Sequence, residues 1–162
     1  MPSKSQMPEW MKKKQQEMRL SEATEKDAER RKLAAALLIQ SESPEFWKRL
    51  LDNLKLAVEA LATIELTGSN SQIGLNAVRI SMNHPDLFAS RTHTDLFLET
   101  GRIRCTTLGV GAYNLDFHVI SETEVGVLDK HKGGSPMNAD QASEYVVRRM
   151  VDFIERQRRT AG

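Results

Sequence analysis

Two arginines, Arg102 and Arg104, stand in the stretch LFLETGRIRCTT, where apolar and polar residues alternate on both sides of Thr100-Gly101. Alternation with a period of two predicts two β-strands joined by a two-residue turn. Side chains two residues apart in a strand project from the same face of a sheet. The two guanidinium groups would therefore share one face, where each can bind a carboxylate or a phosphate through two parallel hydrogen bonds.

The first predicted hairpin places an aromatic ring and a carboxylate beside these arginines. A turn at Thr100-Gly101 sets Phe97 opposite Arg104 and Glu99 opposite Arg102. In the same register, apolar side chains of the two strands meet on the other face. The pairing therefore agrees with a sheet that has one buried and one exposed face.

A second predicted hairpin adds a strand on the other side of the arginines. A turn at Gly109-Val110-Gly111 sets Asp116 opposite Arg104 and His118 opposite Arg102. Apolar residues again meet apolar residues, and the agreement of two registers supports a meander. With Arg79 from a preceding strand, the predicted ligand- or partner-binding residues are Arg79, Phe97, Arg102, Arg104, Asp116 and His118.

The sequence leaves two interpretations of this surface open. Opposite charges on neighbouring strands stabilise a sheet by roughly 0.2 to 1 kcal/mol per pair, so the arginines need have no other role. Alternatively, a helix-free face centred on Arg104 binds a small anionic ligand or an acidic protein partner.

Histidines and carboxylates recur two residues apart, but their spacing does not predict a catalytic or metal site. His93 and Asp95 would lie on one strand and Asp116 and His118 on another, with the arginine strand between them. The two pairs would then be about 10 Å apart, on either side of a cation. The other two histidines fall in predicted loops. No catalytic residue, no metal site and no cofactor are predicted.

A single cysteine, Cys105, excludes an internal disulfide and a thiolate metal site. Its position in the hairpin predicts a small core residue in a protein from a reducing compartment. The longest apolar run, LAAALLI, is far shorter than the roughly 18 residues that cross a membrane, and the N-terminal stretch lacks the apolar run of a signal peptide. The sequence therefore predicts a cytoplasmic protein that does not contact a membrane.

The charges of the chain nearly cancel, with 23 basic and 22 acidic side chains. No overall field therefore attracts nucleic acid, although KKK, RRK and RQRR form local basic patches. Sheets that bind single-stranded nucleic acid expose several aromatic side chains, whereas only Phe97 is predicted on this face. Nucleic acid is not the expected partner.

In the order of the chain, helices are predicted before and after the strands. Ser43 as a cap and Pro44 in the first helical position predict a helix that ends at the turn residues of Gly68–Gln72. Another helix follows the glycine-rich loop Lys130–Gln141. Residues 9–40 favour a helix by composition but lack a continuous apolar stripe.

The predicted fold is α+β: an antiparallel meander of four to five strands with helices packed on one face, preceded by a charged N-terminal helical arm. The predicted domains are a charged helical arm, residues 1–41, and a compact α+β domain, residues 42–162. The arm is interpreted either as a flexible, solvated segment or as a helix that binds a partner or dimerises. Residues 83–93, with a bend at Pro85, are predicted to form a loop.

No motif in the chain specifies a reaction. We expect a non-enzymatic module that binds another macromolecule or assembles with itself as a homodimer, through the open sheet face, the sheet edges or the arm. The alternative is a domain that binds a small anionic ligand, or an enzyme, with its site on the outer face around Arg104.

Overall fold

The computed structural model describes residues 7–85 and 87–161; for residues 87–89 and 161 it describes the backbone alone. The first six residues, which belong to the N-terminal stretch predicted not to be a signal peptide, Asp86 of the predicted loop, and Gly162 lie outside the described residues. The elements are α1 (Glu9–Ala60), a 3₁₀ helix (Leu61–Ile64), β1 (Thr67–Gly74), β2 (Ala77–His84), β3 (Leu87–Glu99), β4 (Arg102–Thr107), β5 (Gly111–Val119), β6 (Val125–Leu128) and α2 (Ala139–Ala161).

The sheet is antiparallel and keeps the order of the chain, β1-β2-β3-β4-β5-β6. The predicted α+β meander is confirmed, with six strands rather than four to five. The helices cover one face, whose core includes Leu50 and Leu54 of α1, Met150 and Ile154 of α2, and Leu115 of the sheet. The other face, called the outer face below, is the one that α2 and the core-packed part of α1 leave uncovered.

One strand, β1, and the beginning of another, β3, were not predicted from the sequence. Every residue of β1, TGSNSQIG, is exposed, so no buried face imposes a period of two on its sequence. Strand β3 begins at Leu87, inside the stretch 83–93 that was predicted as a loop. That prediction was wrong because Pro85 is confined to the connection and the chain re-enters the sheet directly after it.

One predicted register is confirmed and the other is wrong by two residues. Strands β3 and β4 pair Phe97 with Arg104 and Glu99 with Arg102, as predicted. Strands β4 and β5 pair Arg104 with Asn114 and Arg102 with Asp116.

The shift arises because the turn between β4 and β5 lies one residue earlier than predicted. It spans Leu108–Val110, with the Val110 amide donating to the Thr107 carbonyl (3.1 Å) and Gly109 at φ 85°. A displacement of two residues keeps every side chain on its predicted face and changes only its neighbours.

Helix α1 does not begin at Ser43, which corrects the predicted cap. Pro44 lies inside the helix, where it removes one backbone hydrogen bond. Packing holds the helix on both sides of this defect, because Ile39 before it and Phe46 and Trp47 after it contact the core. Tertiary contacts thus outweigh the local capping signal.

Contacts divide the chain into two units, Met1–Leu37 and Leu38–Gly162. The described part of the first unit is helical from Glu9 onward and almost wholly exposed, including apolar side chains such as Trp10, Leu20 and Leu33. The second unit contains the sheet, α2 and the core. None of the described helices combines the length and apolarity that a membrane span requires.

Candidate functional site

The predicted binding residues all lie on the outer face, but the structure does not bring them into one group. Residues of that face form rows across the strands, set by the registers. Arg79 belongs to one row, Phe97 and Arg104 to a second, and Arg102 and Asp116 to a third. The surface therefore consists of local pairs rather than a convergent site.

Arg79 is paired with Asp95 on the neighbouring strand. Its Nε and terminal nitrogen donate to the two carboxylate oxygens, at 2.7 and 3.0 Å. These hydrogen bonds hold the pKa of Asp95 below its usual value and raise the pKa of Arg79. A bidentate guanidinium of this kind already has its ligand.

Arg104 and Arg102 share one carboxylate, that of Glu99. Arg102 Nε donates to Oε1 at 3.0 Å, and Arg104 Nε donates to Oε2 at 3.3 Å. The guanidinium of Arg104 also stacks on the ring of Phe97, 4.2 Å from its centroid. The hydrogen bond from Arg102, more than that from Arg104, lowers the pKa of Glu99.

Asp116 and His118 do not have the partners that the sequence predicted. Because of the shifted register, Asp116 faces Arg102 rather than Arg104, and it forms an ion pair with Lys130 (3.5 Å). His118 does not lie opposite Arg102, which pairs with Asp116, and on its other side it lies opposite Gly126 of β6. Its Nε2 atom is covered and has no hydrogen-bond partner among the described residues.

The charges of the outer face therefore satisfy one another. An anion that approached Arg104 would have to share its guanidinium with Glu99, which two arginines hold. Ser81 lies opposite His93, and Asp95 follows two residues later on β3. No hydrogen bond links these three side chains within the described residues, and the Asp95 carboxylate is bonded to Arg79. No group of three metal-binding side chains is found among the residues the structure describes.

A polar cluster that the sequence did not predict lies on the helix-covered side. Tyr145 donates from its hydroxyl to Asp129 Oδ2 at 2.6 Å, and Arg149 donates to the Tyr145 hydroxyl at 3.0 Å. Asp129 is almost completely buried. Burial, with the bond to Asp129, raises the pKa of Tyr145 to about 12. The spacing of Tyr145 and Arg149 by four residues was the available signal.

The surroundings of this cluster indicate a structural role. Arg149 stacks on the ring of Tyr113 (4.4 Å), and the ring of Tyr145 is covered by Lys132 (4.5 Å). Cys105 is fully buried, and burial raises the pKa of its thiol to about 12, which suits a core residue rather than a nucleophile. A groove of about 780 Å³, lined by Ala57, Val147 and Val151 with flanking carboxylates, lies between the helices.

The two edges of the sheet differ in their backbone groups. At β6, Val127 exchanges two hydrogen bonds with Met137, 2.9 and 2.7 Å long, so the segment before α2 covers that edge. At β1, no described residue pairs with the outer side of the strand. This strand contains no charged residue and no proline, and all eight of its residues are exposed.

The direction of the β3 backbone groups follows from one contact. Backbone hydrogen bonds alternate from side to side along an antiparallel strand. The Leu98 amide donates to the Asn76 carbonyl (2.9 Å), so the even-numbered residues of β3 bond to β2. Leu96 lies opposite Val78, and the backbone groups of Val78 therefore point to β3.

The same alternation identifies the free groups of β1. Since Val78 points to β3, the neighbouring residue Arg79 points to β1, where it pairs with Ser71. The backbone groups of Ser69 and Ser71 are therefore used by β2. Those that point away from the sheet belong to Gly68, Asn70 and Gln72.

Comparison of the chain with protein-family models, with curated proteins and with solved structures finds no match.

Proposed function

We propose that this protein is a non-enzymatic interaction module that binds a polypeptide, its own second copy or another protein, along the β1 edge of the sheet. The observation that carries the proposal is the contrast between an unguarded edge strand and an outer face whose charges are already paired. Both properties are local and do not depend on the identity of the partner.

An exposed edge strand binds extended polypeptide through its own backbone. Main-chain hydrogen bonds provide the affinity in this mode of recognition, and alternate side chains provide the specificity. Proteins commonly prevent such pairing with a lysine, a proline or a covering segment at the edge. β1 has none of these within the described chain, although β6 has a covering segment.

The outer face around Arg104 supports a ligand-binding or enzymatic function less well. Its arginines are oriented by Glu99 and Asp95, and the ring of Phe97 is covered by Arg104. Such pairs stabilise the sheet in the way that exposed cross-strand charges usually do. A bound anion would have to compete with a carboxylate that is held on the same surface.

The proposal extends to compartment and partners. The one cysteine is buried and unpaired, which fits a cytoplasmic protein. A homodimer or a protein partner fits the open edge, whereas the near-zero net charge gives no general attraction for nucleic acid. No cofactor is part of the proposal.

Substitution of Asn70 tests the proposed function directly. Asn70→Pro removes an outward-pointing amide and leaves the hydrogen bonds between β1 and β2 in place, while Asn70→Thr keeps the amide and serves as the matched control. Proteins recovered with the tagged wild type from its native host should also be recovered with Asn70→Thr and be lost with Asn70→Pro. Equal recovery with all three, at equal melting temperatures, would contradict the proposal.

A further inference from the structure

We infer that the polypeptide bound at this edge is the β1 strand of a second copy, paired antiparallel about a two-fold axis at Asn70. This inference rests on the proposed function and specifies its partner. It follows from three features of the strand: the positions of its free backbone groups, the apolar residues at its ends, and its lack of charge.

The free backbone groups restrict the register. A hydrogen-bonded pair requires an outward-pointing residue on each copy, so Gly68, Asn70 and Gln72 must pair among themselves. With Asn70 opposite Asn70, Gly68 of each copy lies opposite Gln72 of the other. All the outward-pointing residues are then used, whereas a slip of two residues in total leaves one of them on each copy opposite a residue that is not outward-pointing.

The exposed apolar residues at the ends of β1 become complementary in this arrangement. Ile64 precedes the strand and is 53% exposed, while Ile73 and Leu75 at its other end are 44% and 90% exposed. Antiparallel pairing sets the beginning of one strand beside the end of the other. The end of β1 that follows Ile64 in one copy therefore lies beside the end that carries Ile73 in its partner, at both ends of the interface.

The absence of charge on β1 permits its pairing with a second copy, and the β6 edge does not add further copies. Like charges placed opposite one another destabilise a sheet, and β1 carries none. At the β6 edge, Val127 is already bonded to Met137, which leaves this four-residue strand too little free backbone for a further copy. Pairing through β1 thus gives a closed two-fold dimer rather than an extended fibre.

Sedimentation equilibrium of the purified chain tests whether the edge forms the dimer. We expect wild type and Asn70→Thr to dimerise with the same dissociation constant, in the micromolar range. Asn70→Pro should raise this constant by about tenfold or more, because each copy loses a hydrogen bond at the axis. A strict monomer at several hundred micromolar, or an unchanged dimer in Asn70→Pro, would overturn the inference.

Disulfide cross-linking determines the register independently. In the inferred dimer, Ser69 of one copy faces Ser71 of the other, at about 4.5 Å between Cα atoms, a separation that a disulfide can span. Under mild oxidation, Ser69→Cys and Ser71→Cys proteins should form dimers chiefly when mixed. Cross-linking of Ser69→Cys alone, or of Ser71→Cys alone, would mean a register slipped by one residue per copy and would contradict the axis at Asn70.

The wild type is the control for this cross-linking. Cys105 is completely buried, so wild-type protein should stay uncross-linked under the same conditions. The outcomes also separate the two proposals. A monomeric wild type that still loses its host partners in Asn70→Pro would refute self-pairing while supporting the interaction module, and a dimer unaffected by Asn70→Pro would refute the self-pairing directly.

Discussion

The two edges of this sheet have opposite characters. The β6 edge is a short strand of four residues whose backbone bonds to Met137 and whose Gly126 lies under Ile120 and Pro136. The β1 edge has eight residues, all exposed, and its outward backbone groups have no partner among the described residues. The molecule thus bonds one edge to its own chain and leaves the other without a partner in the described chain, and the open edge is the proposed interaction surface.

The strongest expected effect comes from opening the closed edge. A Cβ atom at Gly126 would lie 2.6 Å from Ile120 Cδ1 and 2.8 Å from the Met137 carbonyl oxygen. Gly126→Ala should therefore lower the free energy of unfolding by about 2 to 3 kcal/mol in urea titration.

The open edge offers the matched control for this substitution. At Gly74 an added Cβ would meet only Ala77, at an ordinary 3.4 Å. Gly74→Ala should change the free energy of unfolding by less than about 1 kcal/mol. Equal losses at both glycines would show that the edges do not differ in packing as described.

Proline substitution within β1 sharpens the comparison to single residues. Ser71→Pro removes a hydrogen bond to β2 and should lower the free energy of unfolding by about 1 to 2 kcal/mol. Asn70→Pro should have a smaller effect on stability, because its amide points away from the sheet. Urea unfolding at protein concentrations below the dimer dissociation constant compares the two variants. A larger loss of unfolding free energy in Asn70→Pro than in Ser71→Pro would reverse the assignment of the free backbone groups.

The fold was largely predictable because buried faces leave a pattern in the sequence. The hairpin around Thr100-Gly101 was correct to the residue, since its two-residue turn and its alternation agree. The strand β1 was not predictable as a strand, because a segment exposed on both faces has no alternation. The helix boundary at Ser43 failed because capping propensity is weaker than the core contacts that surround Pro44.

The candidate surfaces were less predictable than the fold. Alternation assigned the charged residues to the outer face, but the position of the second turn decided which of them are neighbours. The pairing of both arginines with Glu99 depends on side-chain conformations that no spacing specifies. The strand order makes β1 and β6 the edges of the sheet, and the bond to Met137 covers β6 but not β1. Both are tertiary properties, which the sequence pattern does not specify.

The outer face between the two edges should contribute little to stability and nothing to association. Replacing Arg102 and Arg104 together by threonine removes the ion pairs with Glu99 but restores strand propensity. We expect a decrease in melting temperature of no more than about 4 °C and an unchanged dimer dissociation constant. Loss of dimerisation or of partner binding in this variant, or in Arg104→Lys, would move the function to the outer face.

The smallest expected effect is the acid dependence of the Arg79–Asp95 pair. Because the pKa of Asp95 is lower in the folded state than its ordinary 3.8, the pair stabilises the fold above that value and loses its contribution as pH falls through the folded pKa. Asp95→Asn should therefore reduce the melting temperature slightly at pH 7. It should also flatten the decline of melting temperature below about pH 4, and an unchanged acid profile would contradict the assignment.

Amide hydrogen exchange in β1 tests the central claim most directly, because it measures individual backbone groups of the open edge. In dilute solution the amides of Gly68, Asn70 and Gln72 should exchange rapidly, while those of Ser69 and Ser71 are protected by β2. At concentrations above the dimer dissociation constant, the first three should become protected and the serines should change little. Rapid exchange of Gly68, Asn70 and Gln72 at every concentration would contradict pairing of this edge with a second copy.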